Sequence, residues 1–125
     1  TWTSDDLVWI RAPLAAAPPW RLNHVADATV VDAMTEPPHP DQDADQFWAW
    51  IDQQAGTVRA RVFAARYGVP QDEACGSASM LLAAHLGRPI TIQHGSGSLV
   101  QASPAPNGMA DVGGRVVWGH ERAVD

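Results

Sequence analysis

The chain has no lysine. All eight basic residues are arginine, against fourteen Asp and Glu, which gives a formal net charge of −6. A nucleic-acid partner needs a concentrated basic surface for its phosphates, and this composition argues against one. An anionic membrane surface is disfavoured on the same ground. A small anion is not, because the amides at a helix N-terminus bind one without net positive charge. Cysteine is nearly absent too. Cys75 stands alone, so no intramolecular disulfide can form and a cysteine-rich structural zinc site is excluded. A single thiol fits a reducing cytoplasm. Long apolar runs are missing. The longest, MLLAAHL at 80–86, contains a histidine and falls far short of the roughly 20 residues a membrane helix needs. The opening TWTSDDLVWI places two acids and no basic residue before its apolar stretch, so it does not read as a secretory signal.

What is present suffices for one folded domain spanning 1–125. The length allows a core, and a hydrophobic content of 46% argues against global disorder. LVWIRAPL at 7–14 reads as a strand ended by proline, and WRLNHV at 20–25 as a second, with the loop AAAPP between them. DATVVDAM at 27–34 begins with an aspartate N-cap and reads as a short helix. TEPPHPDQDAD at 35–45 is acidic and proline-rich, a solvated loop. FWAWID at 47–52 alternates large and small residues. TVRARVFAARYG at 57–68 alternates at Val58, Ala60, Val62 and Ala64, which predicts a strand. GSASMLLAAHLG at 76–87 is bounded by Gly76 and Gly87 and has no polar face, which predicts a helix buried on all sides. Three strand-like runs follow, PITIQHG, GSLVQASPAP and MADVGGRVVWG.

The chemistry concentrates in GVPQDEACGSASM, 68–80, where the predicted helix opens. A helix N-terminus leaves backbone N–H groups unsatisfied and carries partial positive charge. Gly76, Ser77 and Ala78 are small enough to let a carboxylate or phosphate approach those amides. Cys75 lies at the same end, where a thiol pKa falls. Asp72 is three residues earlier, placed to move a proton on a bound carboxylic acid. Each has a structural alternative: a small buried cap residue for Cys75, a dipole-stabilising carboxylate for Asp72, a first-turn acid for Glu73, and close packing for Gly76 and Ser77. His85 sits late in the helix, where a cation suits the dipole. His94 lies in a loop beside Gly95 and is a candidate ligand contact. His24, His39 and His120 show no metal-ligand spacing, and no metal or cofactor is expected. Asp41-x-Asp43-x-Asp45 begins like a calcium loop with Asp52 at its twelfth position. Gln46 occupies the required glycine, however, and the twelfth residue is not glutamate. Gly95-Ser-Gly-Ser98 reads as a hairpin turn, since no Gly-Lys-Ser/Thr follows.

The runs Arg61-Val-Phe63-Ala, Gly68-Val-Pro and Gln-Asp72-Glu-Ala-Cys75-Gly76-Ser77-Ala78 resemble the phenazine-biosynthesis PhzF-like family, whose pattern is R-x-F-x-P, then G-I/V-x-E-D-P-A-T-G-S-A. Ile92-Gln93-His94-Gly95 and Val116-Val-Trp-Gly119 are similar to its later elements. Ala74-Cys75-Gly76-Ser77 is also similar to the motif that supplies a catalytic cysteine in diaminopimelate epimerase. The chain departs from the family pattern at Gln71, Glu73 and Cys75, and carries Leu99-Val-Gln-Ala where the family has Gly-Arg. The resemblance implies an α+β fold: a single diaminopimelate-epimerase-like domain, mostly an antiparallel β-barrel around one central buried helix at about 76–87. Family members pair two such domains, and this chain resembles the C-terminal one only; the family's N-terminal glutamate has no counterpart here.

The resulting expectation is a cofactor-independent isomerase-like protein of the cytoplasm, acting on a small carboxylate-containing molecule. Asp72 and Cys75 would be catalytic. Gly76, Ser77, Ala78, Glu73 and His94 would bind substrate. A homodimer, or a separate N-terminal-domain-like protein, would complete the cleft. The alternative is a non-catalytic small-anion binding or accessory domain, or one subunit of a hetero-complex. Trp2, Trp9, Trp48, Trp50 and Trp118 are candidates for a dimer seam, where aromatics are enriched.

Overall fold

The computed structural model describes residues 2–4, 7–72, 76–94 and 98–114. Its strands are β1 (Trp2–Ser4), β2 (Leu7–Pro13), β3 (Arg21–His24), β4 (Asp45–Asp52), β5 (Thr57–Ala64), β6 (Val69–Asp72), β7 (Ile90–His94), β8 (Ser98–Ala105) and β9 (Met109–Gly114); its helices are α1 (Ala28–Ala33) and α2 (Gly76–Leu86). The strands form one mixed sheet in the order β1-β2-β9-β8-β7-β5-β4-β3, with β6 paired to β5 off this path. The fold is α+β.

Two pairs are parallel, β3 with β4 and β5 with β7. A parallel pair needs a crossover, and the two helices lie in these crossovers. The chain from β3 to β4 carries α1, and the chain from β5 to β7 carries β6 and α2. The helices take opposite faces of β4 and β5. On one face Trp48, Val58, Ala60, Ile90, Ile92 and Ala102 pack with Leu82 and Ala83 of α2. On the other, α1 buries Val31 and takes hydrogen bonds from Arg59 and Arg61.

That arrangement corrects the expectation of a barrel. Among the described residues the sheet is open, running from β1 at one edge to β3 at the other. The inner strands are sandwiched between helices instead of enclosing one. It corrects the burial of α2 as well. Ala78, Ser79, Met80, Leu82 and Ala83 are buried, but Ser77, Leu81 and Ala84 are half-buried and His85 is exposed. These four share one helix face by spacing, and an open sheet leaves that face uncovered. The end of α2 is as expected: Gly87 adopts φ +69° and donates its N–H to the Ala83 carbonyl at 2.8 Å, a glycine stop.

Asp27 caps α1 as expected, accepting from Thr29 N at 2.9 Å. At the turn between β4 and β5, Gly56 has φ +77°, and a Cβ there would sit 3.1 Å from the Pro89 carbonyl. Its own carbonyl accepts from Thr91 N at 2.9 Å, so this turn is stitched to the start of β7.

The tryptophan seam is corrected at one position. Trp48 is only 3% exposed and belongs to the core. Trp50 is half-buried, packs on that core and meets Trp48 edge-on at 5.5 Å. Trp48 is not available to a second chain. Trp9 rests on Gly113, its opposite number across β2 and β9. Trp118 lies outside the described residues, and of Trp2 only the backbone is described. Among the described residues no helix is long and apolar enough to cross a membrane.

Candidate functional site

The N-terminal end of α2 is built by three strands. β6 runs antiparallel to β5, with Asp72 opposite Val62, and delivers the chain to Gly76, where α2 begins. β7 ends at His94, opposite Ala60 of β5. Trp20, one residue before β3, packs against the pair formed by Val62 and Ala78. Its indole Nε1 donates to Ser77 Oγ at 2.8 Å. One turn of helix is thus pinned between the sheet and an indole.

Of the residues singled out in the sequence, Gly76 and Ser77 are half-buried in the first turn, and Ala78 is fully buried against Val62. His94 stands at the last position of a strand, not in a loop. It is fully buried, and its Nε2 lies 2.8 Å from Ser79 Oγ. Alternation along β7 explains this: Ile90, Ile92 and His94 share the face toward α2. So Ser77, Ala78 and His94 do converge on one end of α2, His94 by way of Ser79. Only the backbone of Asp72 is described, at the end of β6, and Glu73 and Cys75 lie outside the described residues.

The sequence reading passed over two residues at this end. Trp20 ties the first turn of α2 to the β3 side. Gln46 is fully buried, and neither atom of its amide has a hydrogen-bond partner. The signal for Gln46 was available: it shares parity with Trp48 and Trp50 in β4, so it points the same way as two large apolar side chains.

The acidic series resolves into structural pairs. Asp45 is nearly fully buried, accepting from Arg21 Nε at 2.8 Å and Asn23 Nδ2 at 3.0 Å. The Asp45 carboxylate raises the pKa of Arg21 above the ordinary arginine range. Asp43 pairs with Arg66 at 2.9 Å. Among the described residues no group of three or more His, Cys, Asp and Glu is placed to hold a metal ion. The described arginines are all engaged by the protein itself. Arg11 bonds Asp111, and Arg88 donates to the Gln53 and Gln54 carbonyls; Arg21, Arg59, Arg61 and Arg66 have the partners given above. No protein-family model matches the chain.

Proposed function

We propose that the chain binds a small carboxylate-containing molecule at the N-terminal end of α2. There it would move a proton beside the carboxylate, as a cofactor-independent isomerase of PhzF-like or diaminopimelate-epimerase type. The observation that carries this reading is the joint between β6 and α2. Only residues 73–75 separate Asp72 from Gly76, so the strand carrying the acid ends three residues short of the helix. The amides of Gly76, Ser77 and Ala78 would hold the carboxylate. Asp72 would act as general acid and base, with Cys75 as its partner. Glu73 and His94 would complete the binding set.

A cleft completed by a second chain is the finer form of this reading. A second copy, or a separate N-terminal-domain-like protein, would cover the open end of α2 and exclude water. Two copies about a two-fold axis would bring two such helix ends to one cleft. Light scattering across a dilution series reports which applies: a stable dimer favours self-completion, and a monomer favours a partner protein.

A binding module without chemistry is the second reading. It is favoured by the commitment of Ser77 to Trp20 and of Ser79 to His94, a fixed polar lining more suited to holding than to shuttling protons. Proton NMR in deuterium oxide separates the two. A panel of 2-amino and 2-hydroxy acids is incubated with the chain, and loss of the α-proton signal is followed. The isomerase reading expects loss for one class, abolished by Asp72→Asn or Cys75→Ser. Binding without exchange makes this a binding module, and full activity in both variants excludes the assigned roles.

A further inference from the structure

A buried primary amide with no partner is costly, because its lost hydration is not replaced. Gln46 is such a group, and its place in the sheet says where it faces. It pairs with Leu22 of β3 on one side and Val62 of β5 on the other. Leu22 belongs to the core packed on α2, and Val62 packs on Ala78 in the first turn of that helix. By alternation Gln46 is on the face of Trp48, which packs with Leu82 and Ala83. The amide is therefore on the face toward the first turn of α2.

Trp20 is half-buried at the same end of α2. Its indole packs on Val62 and Ala78, and Val62 is the register partner of Gln46. The indole is held there by packing and by the bond from Nε1 to Ser77 Oγ. A buried amide without a partner, next in register to Val62 and its indole contact, is an arrangement that stability alone does not favour. A methionine of similar length would fill the position without stranding a polar group.

We propose that Gln46 is a ligand-binding residue. Its amide reads a neutral group that both donates and accepts, such as a carboxamide, lactam or un-ionised carboxyl, on a ligand whose carboxylate lies at the α2 amides. This rests on the carboxylate-binding reading above and narrows its substrate class. Gln46 offers one carbonyl oxygen and one NH2, which match such a group in a paired, two-bond contact.

The test compares succinamate with 4-methylpentanoate, which replaces the carboxamide by an isopropyl group of like shape. Malonamate and glutaramate, one methylene shorter and longer, set the reach. Affinities are read by NMR titration on the wild-type chain and on Gln46→Met, following the Trp20 indole N–H resonance. The expected result is a preference of at least about tenfold for one of the monoamides over the isopropyl analogue, since a site built to hydrogen-bond a group rejects the analogue lacking it. Gln46→Met abolishes that preference and keeps the carboxylate affinity. Its melting temperature rises by roughly 4 °C, as removal of an unpartnered buried polar group predicts. Equal binding of amide and isopropyl probes overturns the role of Gln46 and leaves carboxylate binding standing. Failure of every probe to bind overturns both. A lower melting temperature for Gln46→Met overturns the inference by making Gln46 a structural group.

Discussion

On the α1 face of the sheet, Asp45 is enclosed by Arg21 and Asn23, and Arg59 by Asp32 and two carbonyls. On the α2 face, one residue further along β4, Gln46 has no partner for either amide atom. Both faces bury polar groups, but only the first satisfies those it buries on β4. The α1 face uses its polar groups as structure. Arg59 Nη1 donates to the Ala60 and Gln93 carbonyls at 3.0 and 3.1 Å, and Arg61 Nε donates to the Val31 carbonyl at 2.9 Å. Two arginines on β5 thus gather the last turn of α1, the backbone of β7 and a carboxylate into one network. The α2 face is held by apolar burial, and its isolated amide contributes nothing to that. The difference separates polar residues kept for folding from one that folding does not require.

The contrast breaks most sharply at Leu82, fully buried where α2 meets the sheet. Leu82→Ala leaves a cavity that apolar neighbours cannot fill, and about 2–5 kcal/mol of stability is lost. Urea unfolding followed by far-ultraviolet circular dichroism measures it. A loss below 1 kcal/mol, within the about 1.5 kcal/mol of volume-conserving swaps, would show that the α2 face is not held by packing at Leu82.

A smaller loss, about 1–3 kcal/mol, is expected for Arg59→Met, because the Ala60 and Gln93 carbonyls lose a buried donor. Arg59→Lys should recover only part of it, since an ammonium cannot reproduce the fork of a guanidinium. Full recovery by lysine would mean that charge beside Asp32, and not the bonds to the carbonyls, is what matters. Gln46→Met sharpens the comparison from the other face: the same replacement of a buried polar side chain by methionine is expected to stabilise by about 1 kcal/mol. Opposite signs for Arg59→Met and Gln46→Met, in the same unfolding experiment, are the expected signature of the two faces.

Much of this framework was legible in the residues. Asp27 announced α1, Gly76 and Gly87 bounded α2, and the alternation of Val58, Ala60 and Val62 located β5. What alternation could not show is that β5 is buried on both faces. Arg59 and Phe63 occupy the alternate positions and read as solvent-facing, yet both are buried; Phe63 also meets Phe47 edge-on at 5.9 Å. That second layer depends on α1 returning across the sheet, a long-range event with no local signal. β6 escaped notice because Val69-Pro-Gln-Asp72 has little strand propensity and owes its conformation to pairing with β5. The wholly buried α2 was over-read from the lack of a polar face on the helix, and the closed barrel came from the family resemblance. Leu81 and Ala84 are apolar and still half-exposed. At the candidate site, sequence marked Ser77, Ala78 and His94. It missed Trp20 and Gln46, whose importance lies in what each meets or fails to meet across the chain.

The smallest expected effect lies at the exposed start of α1. The Asp27 carboxylate accepts from the Thr29 hydroxyl at 2.7 Å and from Thr29 N at 2.9 Å. These bonds, the hydroxyl's first, favour the charged form and hold the carboxyl below its ordinary value of 3.8. A depressed folded pKa contributes stability that is fully present above the unfolded value and lost as pH falls through the folded one. Asp27→Asn keeps an acceptor at the cap and does not titrate. The other carboxylates titrate in both proteins and cancel in the comparison. The difference in melting temperature between wild type and Asp27→Asn should therefore be constant above about pH 5 and shift in favour of the variant as pH drops below 3.8. A flat difference would show that Asp27 binds its proton equally in folded and unfolded chains. α1 would then be held by Val31 and the two arginines of β5 alone.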